Sequence, residues 1–164
     1  MKIMVFLHGT AIMHNAGLNK TPSERVRQVQ VNEATVHDYE TYIPVGAAYE
    51  KLNNWHNQGA EIQYLSSHTE EENIEKDIRV LSRYHFPEGH VLYRHNNETY
   101  AYVAEKALPD ILIEDDCESI GGEKEMTFPN IQSDIKRKIK SIVIKEFSGI
   151  DTLPDNIEDL KKFT

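Results

Sequence analysis

The sequence is short of cysteine, of long apolar runs and of positive charge, and each shortage narrows what the protein can be. Its one cysteine, Cys117, cannot form a disulfide within the chain, and a lone thiol is what a reducing compartment permits. A cytoplasmic location is therefore expected. The apolar run Ile3 to Leu7 ends at His8-Gly9, short of the roughly 7–15-residue core of a signal peptide. Nowhere do about 18 apolar residues run together, so neither export nor a membrane span is expected. The chain has 18 Lys and Arg against 27 Asp and Glu, a formal net charge of −9. Such a field repels nucleic-acid backbones and anionic lipid surfaces, so neither is an expected partner.

What is present fits one globular domain. A domain commonly runs to about 100–150 residues, and residues 1–164 are expected to form a single one. Apolar residues make up 39% of the chain and charged residues 27%, an ordinary balance for a protein with a packed core.

Hydrophobic periodicity divides the chain into alternating strands and helices. Lys2 to Leu7 predicts a strand buried on both faces. From Ala11 to Tyr42 neither period holds for long, which predicts loops with a short hairpin around Val26 to Val31. Val45, Ala48, Tyr49, Leu52 and Trp55 follow helical spacing up to a stop at Gly59. Ile62 to Leu65 predicts a strand, and Thr69 with Glu72 a capping box for a helix to about Tyr84. Further strands are expected at Val91 to Tyr93, Ile111 to Ile113 and Ser141 to Ile144. Helices are expected from Glu98 to Ala107, from Pro129 through Ile131, Ile135 and Ile139, and after the Asp155/Glu158 capping box. Five such alternations favour a mostly parallel sheet with helices on both faces, a three-layer Rossmann-like α/β fold.

In such sheets ligands bind beyond the carboxyl ends of the strands. Three predicted strand ends carry reactive side chains: Phe6-Leu7-His8-Gly9-Thr10, Ser66-Ser67-His68 and Glu114-Asp115-Asp116. If the strands are neighbours, hydroxyls, an imidazole and carboxylates share one cleft. Imidazole titrates nearest neutrality, so His8 could be an acid, a base, a nucleophile or a metal ligand. A histidine at a strand end is also a common structural residue, serines there often cap turns, and acidic residues after a strand are often solvated loop charges. Cys117 beside two carboxylates is expected to be an inert thiol. Tyr49, Leu52 and Trp55 read as core, and Lys136, Arg137, Lys138 and Lys140 as a solvated basic helix face.

The order of these motifs, a hydrophobic strand ending in Gly9-Thr10, a strand ending in Ser66 and the run Pro109 to Asp116, resembles the haloacid dehalogenase-like superfamily over about Lys2 to Asp116. It is most similar to that superfamily's small phosphatases and nucleotidases. The resemblance implies an α/β phosphate-handling fold without a large cap, with residues 11–42 as a flap from which Lys20, Arg25 or Arg27 could reach a ligand. It also implies that Thr10, Ser66 and Ser67 contact phosphate, that Asp115 and Asp116 hold magnesium, and that Arg94, rather than Lys106, supplies the third-motif cation. The family's first motif is Asp-x-Asp-Gly-Thr, and aligned on Gly9-Thr10 its two aspartates fall on Phe6 and His8. Phe6 can neither attack phosphorus nor bind magnesium, which closes the covalent aspartyl route at its expected position. One magnesium carboxylate is lost with it, so the remaining binding is expected to be weaker unless waters or Glu114 compensate.

Three functions follow as expectations. The first is an atypical phosphate-ester hydrolase or phosphotransferase using His8 and Asp115 with a magnesium site. The second is a catalytically inactive module that binds a small phosphorylated molecule or a protein. The third, a response-regulator-like module, lacks a phosphoacceptor aspartate after its middle strand.

Overall fold

The computed structural model describes residues 1–163. In chain order its elements are β1 (Lys2–Phe6), β2 (Ile12–Met13), α1 (Pro22–Gln30), β3 (Ile43–Pro44), α2 (Ala48–Asn57), β4 (Glu61–Leu65), α3 (Glu71–Arg83), β5 (Gly89–Leu92), α4 (Tyr100–Ala107), β6 (Ile111–Asp115), α5 (Ser133–Lys136), β7 (Lys140–Ile144) and α6 (Ile157–Leu160). Five strands form one sheet in the order β5-β4-β1-β6-β7, with every neighbouring pair parallel. The remaining two, β2 and β3, make a short antiparallel ribbon at the root of the segment between them. The Rossmann-like parallel sheet that the alternation implied is therefore present. Among the described residues no helix is long and apolar enough to cross a membrane.

The continuous apolar run of β1 reflects its place at the centre of the sheet. Successive side chains of a strand point to opposite faces. Ile3 and Val5 pack with Leu52 and Trp55 of α2, Val80 of α3 and Leu160 of α6. Met4 and Phe6 pack on the other face with Ala101, Val103 and Ala104 of α4 and with Ile131 and Ile139. Covered on both sides from Ile3 onward, the strand leaves only its first residue, Lys2, in contact with water.

The structure corrects the expected elements in four places. The hairpin expected at Val26 to Val31 is instead α1. Thr21 accepts from the Glu24 N–H at 3.2 Å while its own N–H donates to the Glu24 carboxylate at 2.7 Å, with Pro22 in the first turn. Only Val26 and Val29 carry its packing against Met13, Val45 and Phe147, so the apolar pattern is thin and the cap is the stronger signal. Thr69 does not cap α3: the helix starts at Glu71, and in the preceding turn Ser66 Oγ accepts the His68 N–H at 3.1 Å. The helix expected from Pro129 is a 3-10 turn at Phe128–Asn130, an extended Ile131 and the four-residue α5. There the buried Glu114 carboxylate accepts the N–H groups of Thr127 and Phe128 at 2.6 and 2.8 Å, tying the segment to β6. At the last helix the capping side chain is Asn156, not Asp155.

Candidate functional site

The chain begins in the middle of the sheet, builds outward through β4 and β5, then returns to the other side of β1 for β6 and β7. The loops leaving β1 and β6 therefore diverge, and such a switch opens a crevice at the carboxyl ends of the strands. A cavity of about 330 Å³ lies there. Its floor and walls include His8 and Gly9 after β1, Ser67 and His68 after β4, Asp115 at the end of β6 with Cys117 just beyond it, and Glu146 after β7. Tyr39 and Tyr42, from the segment between α1 and β3, close part of its side. Phe6 lies at its base, edge-on to Tyr100 with ring centroids 5.1 Å apart.

One wall is a histidine network centred on Asp77. Its side chain is 1% exposed in the middle of α3. Its Oδ1 lies 3.0 Å from His8 Nε2, and its Oδ2 accepts from Ser66 Oγ at 2.6 Å and lies 3.2 Å from His68 Nδ1. On the other side of the His8 ring, Nδ1 receives the Ser67 N–H at 3.3 Å and lies 2.8 Å from Ser67 Oγ. A backbone N–H can only donate, so Nδ1 is the acceptor nitrogen, and the ring proton resides on Nε2, where it bonds to Asp77. Burial opposes the ionised form of Asp77, but the positive charge that His8 carries when protonated and hydrogen bonds from His68 and His8 outweigh it. Together they hold the carboxyl well below the usual carboxylate range.

The opposite wall is acidic. Asp115 accepts from Thr10 Oγ1 at 2.8 Å and from the Cys117 N–H at 2.9 Å. Asp116 accepts the Glu146 N–H at 3.1 Å, and Glu146 in turn accepts from the N–H and Oγ of Ser119, both at 2.6 Å. Burial pushes the Asp115 carboxyl up to about 6 and the Glu146 carboxyl up to about 7. Lys145 reaches the outer oxygen of Asp116 at 3.3 Å and is itself half-exposed. One oxygen from each of Asp115, Asp116 and Glu146 lies within 4.8 Å of the others, close enough to share one ion. An all-carboxylate set suits a hard cation such as Mg²⁺. His8, His68 and Asp77 satisfy the same distance condition, but the two ring nitrogens aimed at Asp77 already hydrogen-bond to it.

Gly9 joins the two walls and has to be glycine. Its φ is +86°, and a Cβ there would lie 2.8 Å from Asp115 Oδ2 and 3.3 Å from Glu146 Cγ. Gly9→Ala is expected to cost about 1–2 kcal/mol in backbone strain alone and to push the Asp115 carboxylate out of place. Urea unfolding measures the first effect. An unchanged midpoint would show that the loop relaxes freely.

The structure brings together most of the residues singled out in the sequence, in changed roles. His8, Ser67, Asp115 and Asp116 meet at the rim. Thr10 is fully buried and positions Asp115, while Ser66 is fully buried and holds Asp77. Glu114 points away from the acidic trio toward Thr127 and Phe128, so it does not replace the carboxylate missing at Phe6. Arg94 stacks 4.0 Å over Tyr100 and donates to the Ser67 carbonyl at 3.3 Å, and its buried Nε has no partner among the described residues. Lys106 lies at the other end of the sheet, where the neighbouring Ala107 carbonyl accepts from the Lys2 amine. Arg25 is committed to the carbonyls of Gly17 and Phe147, which takes it out of the set available to a ligand. Burial raises the Cys117 thiol pKa, and the neighbouring Asp115, Glu114 and Glu146 add to it, in keeping with an inert thiol.

Sequence reasoning missed Asp77 and Glu146, and named His68 at a strand end without giving it a role. The signal for Asp77 was available: it stands on the apolar stripe of α3 between Ile74 and Leu81, where a carboxylate needs a buried partner. Glu146 follows the last strand as the acidic run follows β6. No protein-family model matches this sequence, and no curated protein matches it; the geometry of the cleft is thus the evidence on function.

Proposed function

We propose that the protein is a phosphate-ester hydrolase or phosphotransferase of haloacid dehalogenase-like build in which His8 does the acid–base work. In this reading Asp115, Asp116 and Glu146 hold a divalent cation, Mg²⁺ by the chemistry of the donors. One observation carries it: an imidazole held in a single tautomer by Asp77 and Ser67 faces the same cavity as a trio of buried and half-buried carboxylates. The family reading is supported by the first, second and fourth motif positions meeting at one rim.

His8 lines the cavity, and the lone pair of its Nδ1, directed at Ser67, can take a proton from an attacking hydroxyl there. Asp77 stabilises the imidazolium that results. The cation, when bound, supplies positive charge against the phosphoryl oxygens. Arg94 sits beside Ser67 as a further positive group, and Tyr39 and Tyr42 narrow access for water on the flap side. About 330 Å³ is near the lower end of the roughly 300–1,000 Å³ range of small-molecule sites, which matches a small phosphorylated molecule.

A second reading, a non-catalytic module binding such a molecule, is favoured by Phe6, which fills the position of the missing nucleophile with core packing. Turnover of a panel of phosphate monoesters with Mg²⁺ separates the two. His8→Ala is expected to lose about 10²–10⁴-fold in rate. Asp115→Asn is expected to lose the Mg²⁺ dependence. If no ester turns over, the hydrolase reading falls and binding remains.

A further inference from the structure

We propose that Ser67 is the nucleophile of this site, with His8 as its base and Asp77 as the group that orients His8. The inference rests on the hydrolase reading above and names the oxygen that takes the place of the carboxylate absent at Phe6.

Three contacts in series carry it. Ser67 Oγ lies 2.8 Å from His8 Nδ1, and His8 Nε2 lies 3.0 Å from Asp77 Oδ1. Asp77 is in turn fixed by Ser66 Oγ and His68 Nδ1 at 2.6 and 3.2 Å. This is the hydroxyl, base and orienting carboxylate arrangement that activates an otherwise weak nucleophile. The two nitrogens are used in the reverse of the more familiar order, and the tautomer agrees. The Ser67 N–H marks Nδ1 as the acceptor, so its lone pair is directed at the residue whose hydroxyl it would deprotonate.

Placement supports the assignment independently. Ser67 occupies the turn between β4 and α3 and lines the cavity, whereas its neighbour Ser66 is fully buried and both of its bonds are structural. The two serines thus divide the labour: one holds the orienting carboxylate and the other faces the ligand space. Arg94 and Tyr100 both reach the Ser67 carbonyl at 3.3 Å and pin the backbone that carries the hydroxyl.

In the first half-reaction Ser67 Oγ forms a bond to phosphorus as the ester P–O bond breaks. The Oγ proton passes to His8 Nδ1, and the imidazolium gives it to the leaving alkoxide, which restores the neutral base. In the second, a water attacks the phosphoserine, its proton passes to His8, and the imidazolium returns a proton to Ser67 Oγ. Ester and water become alcohol and phosphate, with no change of oxidation state.

The full-length protein is incubated with p-nitrophenyl phosphate and Mg²⁺, quenched in acid and analysed by intact and peptide mass. In parallel it is treated with a fluorophosphonate, which forms the Oγ–P bond with loss of fluoride. A phosphoryl adduct on Ser67, with turnover lost in Ser67→Ala, is expected. Fluorophosphonate labelling of Ser67 should slow at least about 100-fold in His8→Ala. Turnover that survives Ser67→Ala without any adduct overturns the inference and leaves the hydrolase reading standing, with water as the attacking group. Labelling of Ser67 that depends on His8 but without phosphate-ester turnover supports the nucleophile and removes the phosphate reading. Neither turnover nor labelling overturns both.

Discussion

Asparagine in place of Asp77 is expected to lower turnover by about ten-thousand-fold, the size of effect seen when an orienting carboxylate is neutralised in a serine–histidine relay. The amide oxygen has two acceptor sites where the carboxylate accepts three hydrogen bonds, from His8, Ser66 and His68. Its NH₂ group faces donors, and His8 can satisfy it only by accepting at Nε2. That moves the ring proton to Nδ1, where it blocks the base. Folding should weaken as well, by about 2–4 kcal/mol, because hydrogen bonds to a charged group contribute about 1.5–3 kcal/mol each and the site is buried.

The stability loss carries a pH signature. The Asp77 carboxyl in the folded protein titrates below its value in the unfolded chain, so its ionisation stabilises the fold wherever the unfolded group is also ionised. The difference between wild type and Asp77→Asn in urea should be full at neutral pH. It should shrink as pH falls below about 4 and vanish as the folded carboxyl is itself protonated. A difference that does not change with pH would show that Asp77 acts through shape rather than charge.

The second large effect concerns the acidic wall. A divalent cation at 100 times its dissociation constant should stabilise the fold by about 2.7 kcal/mol. For a chain of this size that corresponds to a rise in melting temperature of about 5–10 °C relative to chelator. Glu146→Gln should abolish the increment. The amide oxygen can still accept the Ser119 N–H and its NH₂ can donate to Ser119 Oγ, so the variant in chelator should melt no lower than wild type. Calorimetry with Mg²⁺, Ca²⁺ and EDTA measures both quantities. Equal increments in wild type and Glu146→Gln would place any cation elsewhere.

The parts of the fold that could be read from residues alone are those in which local pattern and burial coincide. The central strand was visible because both of its faces are covered, which leaves Ile3 to Leu7 uniformly apolar. The helix α2 was visible because one stripe, Ala48, Leu52 and Trp55, is buried and the rest is not. The helix α1 was not, since a short helix lying over a loop needs only two apolar contacts and its signature is the Thr21–Glu24 cap. The isoleucines at 131, 135 and 139 have helical spacing, yet Ile131 is extended and the segment before it is anchored to β6 by the Glu114 carboxylate, which accepts the Thr127 and Phe128 N–H groups. No spacing rule contains that long-range bond.

For the site, strand ends were the informative places. A parallel sheet delivers every strand's carboxyl end to one rim, so His8, Ser67, Asp115 and Asp116 could be grouped once the alternation was seen. Which of them touch was beyond local pattern. Asp77 is ten residues past Ser67, on a helix, and Glu146 is thirty residues past Asp116, in the turn after the next strand of the sheet. Amino-acid order alone determined the parallel α/β layering and the rim on which chemistry could occur, because those follow from periodicity and from the direction of β-strands. Only the packed chain decided that Asp77 orients His8, that Ser66 is structural while Ser67 lines the cavity, and that Glu146 completes the acidic trio. Those choices depend on distances of about 3 Å between side chains on different elements, which the crossing of helices over the sheet sets and sequence separation does not.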